Sequence, residues 1–566
     1  MDSYGWSYRW RMSRAAGVGM ALVAVTAGAV GPAAGSAAAA PAAPKSAGSV
    51  WLDTEWGDDD TKESAKASKE TGHWKSDVDA GSLYTVAKTH GAHDAWGKSD
   101  ASGKKITGKK ITGKKITGEG VTVALIDTGV APVEGLATPG KIINGPDLSI
   151  ESQAPNLRHL DGFGHGTHMA GIIAGRDSTV PAGNENDAKH FVGIAPDARI
   201  LNMKVATADG ATDVSQVIAA IDWVVQHRKD NGMNVRVINL SYGTSSTQSY
   251  VLDPLAHAVE NAWRSGVVVV VAAGNDGAGR ALTMPAVDPY VIAVGASDHK
   301  GSEEVNDDGL AAFTNAGAGA RQADLLAPGK SLVSLRVPGS FADRGHPEGL
   351  VTGDAAKRFF RGSGTSQATA AVSGAVALLL QQRPSLTPDQ VKAVLTKSAT
   401  AMPKSSLGTV GLLDIKNAVQ TATPSAKKSV QSFPQSTGLG TLEAARGDSH
   451  LTDSDNGAVL TGEQDISGGA WEARRWSTAS AAGVAWTGGS WNARRWSGES
   501  WSGASWASAA WSDSSWTGTA WSARRWSADT WSARRWSGDD WSARRWSADN
   551  WSARRWSGTY VTQPTW

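Results

Sequence analysis

The chain has 566 residues, with 55 Lys and Arg against 54 Asp and Glu, so its formal net charge is only +1. That balance predicts no global attraction to nucleic acid. The chain contains no cysteine, so disulfides contribute nothing to its stability and an oxidising environment brings no risk of mispairing. Its length exceeds that of one ordinary domain, which predicts a large folded unit with additional segments.

The first 40 residues have the pattern of a secretory signal peptide. Arg9, Arg11 and Arg14 precede an apolar stretch over residues 15–30, and residues rich in Ala and Pro follow it. The alternative is a membrane anchor, but the stretch is shorter than the roughly 20 residues that a spanning helix needs. We therefore expect a secreted, extracellular protein without a membrane span after signal removal, either soluble or attached to the cell surface.

Two polar stretches follow the predicted signal peptide. Residues 41–80 are rich in Lys, Asp and Ser and are interpreted as a short pro-segment. Between Lys104 and Gly118 the sequence Lys-Lys-Ile-Thr-Gly occurs three times. Glycine recurs too often there for a stable helix, so we expect an expanded loop.

Three short motifs within residues 81–421 carry an Asp, a His and a Ser. The apolar run over residues 121–127 predicts a strand buried on both faces, with Asp127 at its carboxyl end. His165 and Ser366 each precede a long stretch of small and apolar residues, which predicts two buried helices with these side chains near the first turn. We therefore expect the three residues to meet at the edge of a parallel sheet.

These residue types are the parts of a catalytic triad. A serine hydroxyl becomes a nucleophile when an imidazole takes its proton, and a carboxylate fixes the tautomer of that imidazole. The order Asp, His, Ser differs from that of chymotrypsin-like proteases and of α/β-hydrolases. After the buried run 267–271, a Gly-flanked turn projects Asn275, whose amide can stabilise an oxyanion together with the Ser366 N–H.

With all four motifs, the chain resembles the subtilase (subtilisin-like serine protease) family over about residues 81–421. The resemblance implies an α/β fold of three layers with a mainly parallel central sheet flanked by helices. It also implies a serine endopeptidase that hydrolyses polypeptide substrates through an acyl-enzyme. By the same resemblance, Asp209 and Gly210 belong to an edge segment that pairs with extended substrate, and Ser241, Tyr242 and Gly243 line the primary specificity pocket.

Other positions either follow or depart from the family pattern. Met284-Pro285 matches the family's cis-proline turn, whereas Gln367 and Ala370 replace the Met and Pro that are common after the serine. Leu136 stands where many subtilisins carry a calcium-ligating Asp, so no cofactor is predicted and calcium is left open as a structural ion. The stretch 337–361 is longer than usual and predicts a hairpin beside the site.

Some of these features have competing interpretations. His165 and His168 could suggest a metal site, but no carboxylate or Cys cluster accompanies them, so we predict no metal site and a structural role for His168. The acidic loop 177–187 fits a solvated surface loop better than an ion site. The competing function is a surface-binding protein in which a degenerate protease domain displays an adhesive tail.

The remainder of the chain changes in character. Thr387, Pro388 and Gln390 predict a capped helix near the end of the catalytic domain. Residues 422–470 are rich in Ser, Thr and Gly without periodicity, which predicts a flexible linker.

The last segment, residues 471–566, has a Trp at five-residue spacing with only positions 481 and 561 skipped, and so holds 18 of the 26 Trp of the chain. Five-residue spacing gathers the Trp on one face of neither a helix nor a strand. A disordered array and a solenoid with Trp in register both stay open. Twelve Arg against seven Asp and Glu favour contact with an anionic cell wall or polysaccharide over nucleic acid, in a protein expected to be a monomer.

Overall fold

The computed structural model describes residues 55–56, 73–97, 115–153, 157–181, 183–317, 321–402, 410–452, 458–487, 489–492 and 494–495. The predicted signal peptide, most of the predicted pro-segment, most of the Lys-Lys-Ile-Thr-Gly loop and the tail after residue 495 lie outside these ranges. Among the helices in these ranges, none has the length and apolar character needed to cross a membrane.

The strands and helices are numbered in chain order. The strands are β1 (Glu55–Trp56), β2 (Thr122–Asp127), β3 (Ile142–Asn144), β4 (Arg199–Lys204), β5 (Val235–Leu240), β6 (Val268–Ala272), β7 (Ile292–Asp298), β8 (Gly309–Leu310), β9 (Leu325–Pro328), β10 (Leu332–Leu335), β11 (Phe359–Ser363), β12 (Thr400–Ala401), β13 (Gly411–Leu412), β14 (Trp486–Thr487), β15 (Ser490–Trp491) and β16 (Arg494–Arg495). The α-helices are α1 (Leu83–Thr89), α2 (Ala92–Trp96), α3 (His165–Ala174), α4 (Val214–His227), α5 (Pro254–Arg264), α6 (Phe341–Gly345), α7 (Thr365–Gln382), α8 (Pro388–Ser398), α9 (Ile415–Gln420), α10 (Ala426–Ser429), α11 (Leu442–Arg446) and α12 (Ala473–Ala481). Short 3₁₀ helices span Ile150–Gln153, Asp230–Gly232 and Pro347–Gly349.

A ten-stranded sheet forms the centre of the molecule. Its strands follow the order β12-β13-β9-β7-β6-β5-β2-β4-β3, with β8 paired to β7. Neighbours from β3 to β13 along this order run parallel, and only β8 and β12 are antiparallel. Helices α3 and α7 pack against each other and against the sheet, as do α4 and α5. The fold is therefore the α/β arrangement that the resemblance implies, a mainly parallel central sheet flanked by helices.

Local sequence explains the elements nearest the site. All six residues of β2 and all five of β6 are buried, as expected for apolar strands covered on both faces. Every residue of α3 is buried, because Gly, Ala and Thr let this helix lie deep in the core. Thr387 and Gln390 form the predicted capping box of α8, and Met284–Pro285 is cis. These predictions are confirmed.

The stretch 337–361, predicted to form a hairpin by itself, is instead the connection between the two strands of one: β10 lies before it, and β11 begins at Phe359 near its end. Strands β10 and β11 pair antiparallel, with Leu332 opposite Gly362 and Leu335 opposite Phe359. Within the predicted pro-segment, β1 adds to the other edge of β11. Strand β11 ends at Ser363, just before α7 begins, so the hairpin lies next to the turn that presents Ser366.

The segment predicted as a flexible linker is packed onto the catalytic domain instead. The Tyr290 hydroxyl donates to the Phe433 carbonyl at 2.7 Å, and the Ser436 N–H donates to Glu260 Oε1 at 2.8 Å. Helices α10 and α11 lie within this segment. We call the described residues between 424 and 495 the C-terminal extension. Its order depends on partners far away in the chain rather than on its own periodicity.

The first Trp of the repeat tail are buried in this extension. Trp471, Trp476, Trp486 and Trp491 are each at most 5% exposed. Trp476 and Trp491 donate their indole N–H groups to one oxygen of Asp222 on α4, at 2.8 and 2.9 Å. We call these four Trp the Trp clasp. The interpretation of the tail as a disordered array is therefore wrong for these positions, because the catalytic domain buries the four rings and a buried carboxylate accepts from two of their N–H groups.

Candidate active site

Asp127 and His165 form a direct pair. Asp127 is the last residue of β2 and His165 the first of α3, so the sheet edge and a helix start bring them together. His165 Nδ1 lies 2.8 Å from Asp127 Oδ1 and 3.0 Å from Oδ2. A carboxylate at this distance assigns the ring proton to Nδ1, which leaves Nε2 as the basic nitrogen.

Asp161 supports this pair, although it stands in none of the motifs that predicted the site. Asp161 Oδ1 accepts from the Thr128 hydroxyl at 2.8 Å and from the Gly164 N–H, while Oδ2 accepts from the Thr167 N–H at 2.7 Å. Burial raises the pKa of Asp161 above its usual range, in opposition to these donors. The carboxylate thus ties the turn after β2 to the first turn of α3. No local signal marks it, because Asp161 lies three residues before Gly164, which occupies the N-cap position of α3.

Ser366 is the second residue of α7 and is fully buried. Its N–H belongs to the first turn of the helix, where backbone donors lack partners within the helix and the helix dipole favours negative charge. Within the described ranges no hydrogen bond engages the Ser366 hydroxyl, so the structure does not join Ser366 directly to His165. Catalytic hydrogen bonds in ligand-free sites are often long and tighten when substrate binds.

Asn275 is anchored beside the nucleophile through its side-chain oxygen. Asn275 Oδ1 accepts from the Thr365 N–H at 2.9 Å and from the Thr365 hydroxyl at 2.8 Å. The preceding Gly274 N–H donates to the same hydroxyl at 3.3 Å. Because the oxygen is committed to the start of α7, the orientation of the whole carboxamide is fixed next to Ser366.

The three predicted triad side chains lie in a buried environment. Asp127 is 1% exposed, and His165 and Ser366 are 0% exposed. Charge interactions are stronger in such a site than in water. The neighbouring His168 stays neutral at physiological pH, because burial lowers its pKa to about 3. Its Nε2 lies 3.1 Å from the Phe360 carbonyl of β11, which fits the structural role predicted for it.

The predicted substrate-binding residues lie in the loops after β4 and β5. Asp209 Oδ1 accepts from the Thr207 hydroxyl and from the Ala211 N–H, and Gly210 has a positive φ of 83°. Ser241 and Gly243 are buried beside each other in the loop after β5.

The side chain of Tyr242 does not line an open pocket, although the residue is predicted to border the primary specificity pocket. It is 0% exposed, and burial raises the pKa of its hydroxyl well above the usual value. Only the backbone of this residue can therefore face a substrate in this structure.

No metal ligands are assembled near these residues. Across the described ranges, no group of three or more His, Cys, Asp or Glu residues is arranged to hold a metal ion. Leu136, at the position of the family's calcium-ligating Asp, is fully buried among apolar side chains.

Comparisons with known proteins place most of the predicted catalytic domain in one protease family. The profile of the subtilase family matches residues 118–438, more than half of the chain. Serine protease AprX of Bacillus subtilis (strain 168) is 36% identical over 282 residues, which cover 49% of this chain and 60% of AprX. Subtilisin DY of Bacillus licheniformis is 32% identical over 303 residues, 53% of this chain and 91% of that protein.

Among solved structures, the crystal structure of a cold adapted subtilisin-like serine proteinase aligns at 30% identity with a TM-score of 0.39, covering 52% of this chain and 89% of that chain. The family profile spans the strand that ends at Asp127, the helices that begin at His165 and Thr365, and the turn that holds Asn275. The chain belongs to the subtilase family of serine proteases.

Proposed function

We propose that the protein is an extracellular serine endopeptidase that cleaves extended polypeptides through an acyl-enzyme. The observation that carries the proposal is the Asp127–His165 pair at 2.8 Å, next to the helix that presents Ser366. Family membership supports the same chemistry. The arginines and apolar stretch at the amino terminus support export.

In the proposed mechanism, Ser366 Oγ attacks the scissile carbonyl carbon while His165 Nε2 takes its proton. Asp127 holds the His165 ring and stabilises the imidazolium that forms. The Asn275 side-chain amide and the Ser366 N–H donate to the oxyanion of the tetrahedral intermediate. His165 then protonates the leaving amine, and a water molecule activated by the same ring hydrolyses the acyl-enzyme.

A fluorophosphonate probe tests this assignment, because it reacts covalently with an activated serine. We expect the mature protein to be labelled at Ser366 and to cleave peptide substrates, and Ser366→Ala to lose both activities. A folded, mature protein that is neither labelled nor active would contradict the endopeptidase and favour the surface-binding alternative.

The repeat tail is proposed to bind an anionic cell-wall polymer or polysaccharide through aromatic faces and Arg side chains. The Trp clasp is buried, so this binding depends on residues 497–566. From residue 497 onward the tail carries eight Arg against six Asp and Glu, a smaller excess than the segment as a whole. Retention on cell-wall polymer should therefore be compared between the full chain and a chain ending at residue 496. Equal retention would contradict the tethering role.

A further inference from the structure

Two loops of the described structure flank the proposed catalytic Asp127. Strands β4 and β5 are the two neighbours of β2 in the sheet, and all three run parallel. Their carboxyl ends therefore meet at one edge, the place where open α/β sheets bind ligands. The loop after β4 (residues 205–213) begins with the Val205 N–H donating to the Asp127 carbonyl at 2.9 Å. The loop after β5 (residues 241–248) starts at the same edge, next to the last residue of that strand.

The first of these loops is held at both ends by buried charges. Near its start, the Ala208 N–H donates to Glu151 Oε1 at 2.9 Å, and Glu151 Oε2 lies 2.8 Å from Lys204 Nζ. At its end, Asp213 caps α4 and accepts from Arg446 Nε at 2.7 Å. Arg446 and Asp213 are both 0% exposed. The loop therefore depends for its position on a guanidinium supplied by the C-terminal extension.

Arg446 also organises the extension itself. Its Nη1 donates to the Gly462 carbonyl at 2.8 Å and its Nη2 to the Gln464 carbonyl. These contacts bring Leu451, Leu460 and Ile466 into an apolar cluster with Ala211 of the loop after β4.

The second loop is bound to the same part of the extension. The Thr244 hydroxyl donates to the Ala445 carbonyl at 2.7 Å, and the Thr247 N–H donates to the Ala444 carbonyl at 3.2 Å. Gly447 follows α11 with a φ of 62°, and a Cβ there would lie 2.4 Å from the Ser245 carbonyl oxygen. Helix α11 thus contacts one loop through its carbonyls and the other through the Arg446 side chain.

We infer that residues 442–452 and 458–466 of the extension position the two loops that flank the substrate cleft, with Arg446 as a positioning residue that fixes these loops relative to each other. The inference rests on the proposed endopeptidase function and adds a determinant of substrate length. A peptide that extends along both loops depends on their spacing, whereas a short substrate meets only the residues around Ser366. Chains with several residues on the acyl side of the scissile bond are therefore the class of substrate that this region selects.

The test uses the mature protein with peptide p-nitroanilides of one, two and four residues that share the same residue before the scissile bond. The main variant combines Arg446→Met with Asp213→Asn, because removing the arginine alone would leave a buried charge unpaired. Asn also retains the helix-capping function of Asp213. Arg475→Met is the matched control, since Arg475 lies exposed on α12 of the same extension.

We expect the double variant to raise KM for the four-residue substrate about tenfold, with kcat and the one-residue substrate changed less than about twofold. Arg475→Met should keep the wild-type ratio of long to short kcat/KM. Fluorophosphonate labelling should be equal in all proteins, which shows that the nucleophile is intact. If Arg446 only stabilised the fold, the double variant would have a lower Tm, but its kcat/KM would depend on substrate length as in the wild type.

If the double variant does not fold, Leu460→Ala decides the question, because it removes apolar volume from the cluster that contains Ala211 and leaves no buried charge unpaired. It should shift the length dependence in the same direction by a smaller factor. Wild-type length dependence in a folded, labelled variant would overturn the inference and leave the proposed function standing. A wild-type protein that neither labels nor cleaves would instead overturn the proposed function.

Discussion

The oxygen and the nitrogen of the Asn275 side-chain amide have different roles in the proposed site. Its oxygen accepts two hydrogen bonds from Thr365 and so holds the side chain against the start of α7. Its nitrogen, on the other branch of the same carboxamide, is the proposed oxyanion donor. A substitution that retains the first function and removes the second can separate structure from catalysis at this residue.

Asn275→Asp is that substitution. The carboxylate retains an acceptor for Thr365 but loses the N–H donors and places negative charge near the developing oxyanion. We expect kcat to fall by about 10²–10³ with little change in KM. This is the loss typical of removing one oxyanion-hole donor, and the known example is the corresponding Asn of a subtilisin. Steady-state kinetics on a peptide substrate measure it.

Asn306→Asp is the control, because it makes the same chemical change at an exposed position. It should leave kcat unchanged. An Asn275→Asp protein with kcat within threefold of wild type would show that Asn275 is not an oxyanion donor.

The residues that carry the chemistry could be predicted from the sequence, and those that support them could not. Asp127, His165, Ser366 and Asn275 each stand in a short motif whose neighbours report a strand end or a helix start. The support from Thr365 to Asn275 joins residues 90 positions apart, and that from Asp161 to Thr128 joins residues 33 positions apart. No local pattern encodes such contacts, so they appear only once the chain is folded.

At the scale of elements, helix α3 approaches the turn after β2 closely. Gly166 is the second residue of α3, and a Cβ built there would lie 2.1 Å from the Gly129 carbonyl oxygen and 3.0 Å from Asp127 Oδ1. The backbone carbonyl cannot move without disturbing the turn that holds Asp127. The absence of a side chain at this position therefore sets the distance between the helix that carries His165 and the strand that carries Asp127.

Gly166→Ala should separate these two elements. Alanine is the better helix former by up to about 1 kcal/mol, but overpacking costs typically about 1–3 kcal/mol, so we expect a net loss of stability. The displaced His165 should also lower kcat. Thermal unfolding and peptide hydrolysis measure the two effects in parallel.

Gly279→Ala supplies the comparison, since Gly279 is exposed and a Cβ there has nothing within 4 Å. It should leave both Tm and kcat near their wild-type values. Equal behaviour of the two variants would refute the close approach of α3.

Elements were predictable where the chain signals them locally. Strand β2 and helices α3, α7 and α8 follow from apolar runs, small residues and a capping box. The C-terminal extension has no such periodicity, and its order comes from long-range partners such as Asp222, which accepts from Trp476 across 254 positions. The composition of residues 422–470 therefore predicted a flexible linker, whereas long-range contacts pack this segment onto the catalytic domain.

For the whole molecule, the Trp clasp ties the chain after residue 470 to the catalytic domain through one buried carboxylate. Asp222 accepts from the Trp476 and Trp491 indoles and from the Ser480 hydroxyl at 2.5 Å. Burial nevertheless raises the pKa of Asp222 from 3.8 to about 6, in opposition to these donors. The clasp is thus held by a group that favours protonation in the folded state.

This pKa predicts how stability changes with pH. Between pH 4 and 6 the folded protein binds a proton at Asp222 that the unfolded chain does not, so this group's contribution to stability falls as the pH rises through that window and is constant above it. Two pKa units correspond to about 3 kcal/mol. In Asp222→Asn the side chain cannot titrate. The difference between the free energies of unfolding of the wild type and this variant should therefore fall by up to about 3 kcal/mol from pH 4 to pH 7.

Urea unfolding followed by Trp fluorescence measures this difference, with Ser366→Ala in both proteins to prevent self-digestion. All other titrating groups are common to the pair, so their contributions cancel in the comparison. Gln420→Ala, at an exposed residue that does not titrate, should give a curve parallel to that of the parent over the whole range. If the Asp222→Asn curve is parallel as well, Asp222 titrates alike in the folded and unfolded chains, and the effect of burial on its pKa does not exceed that of its three hydrogen-bond donors.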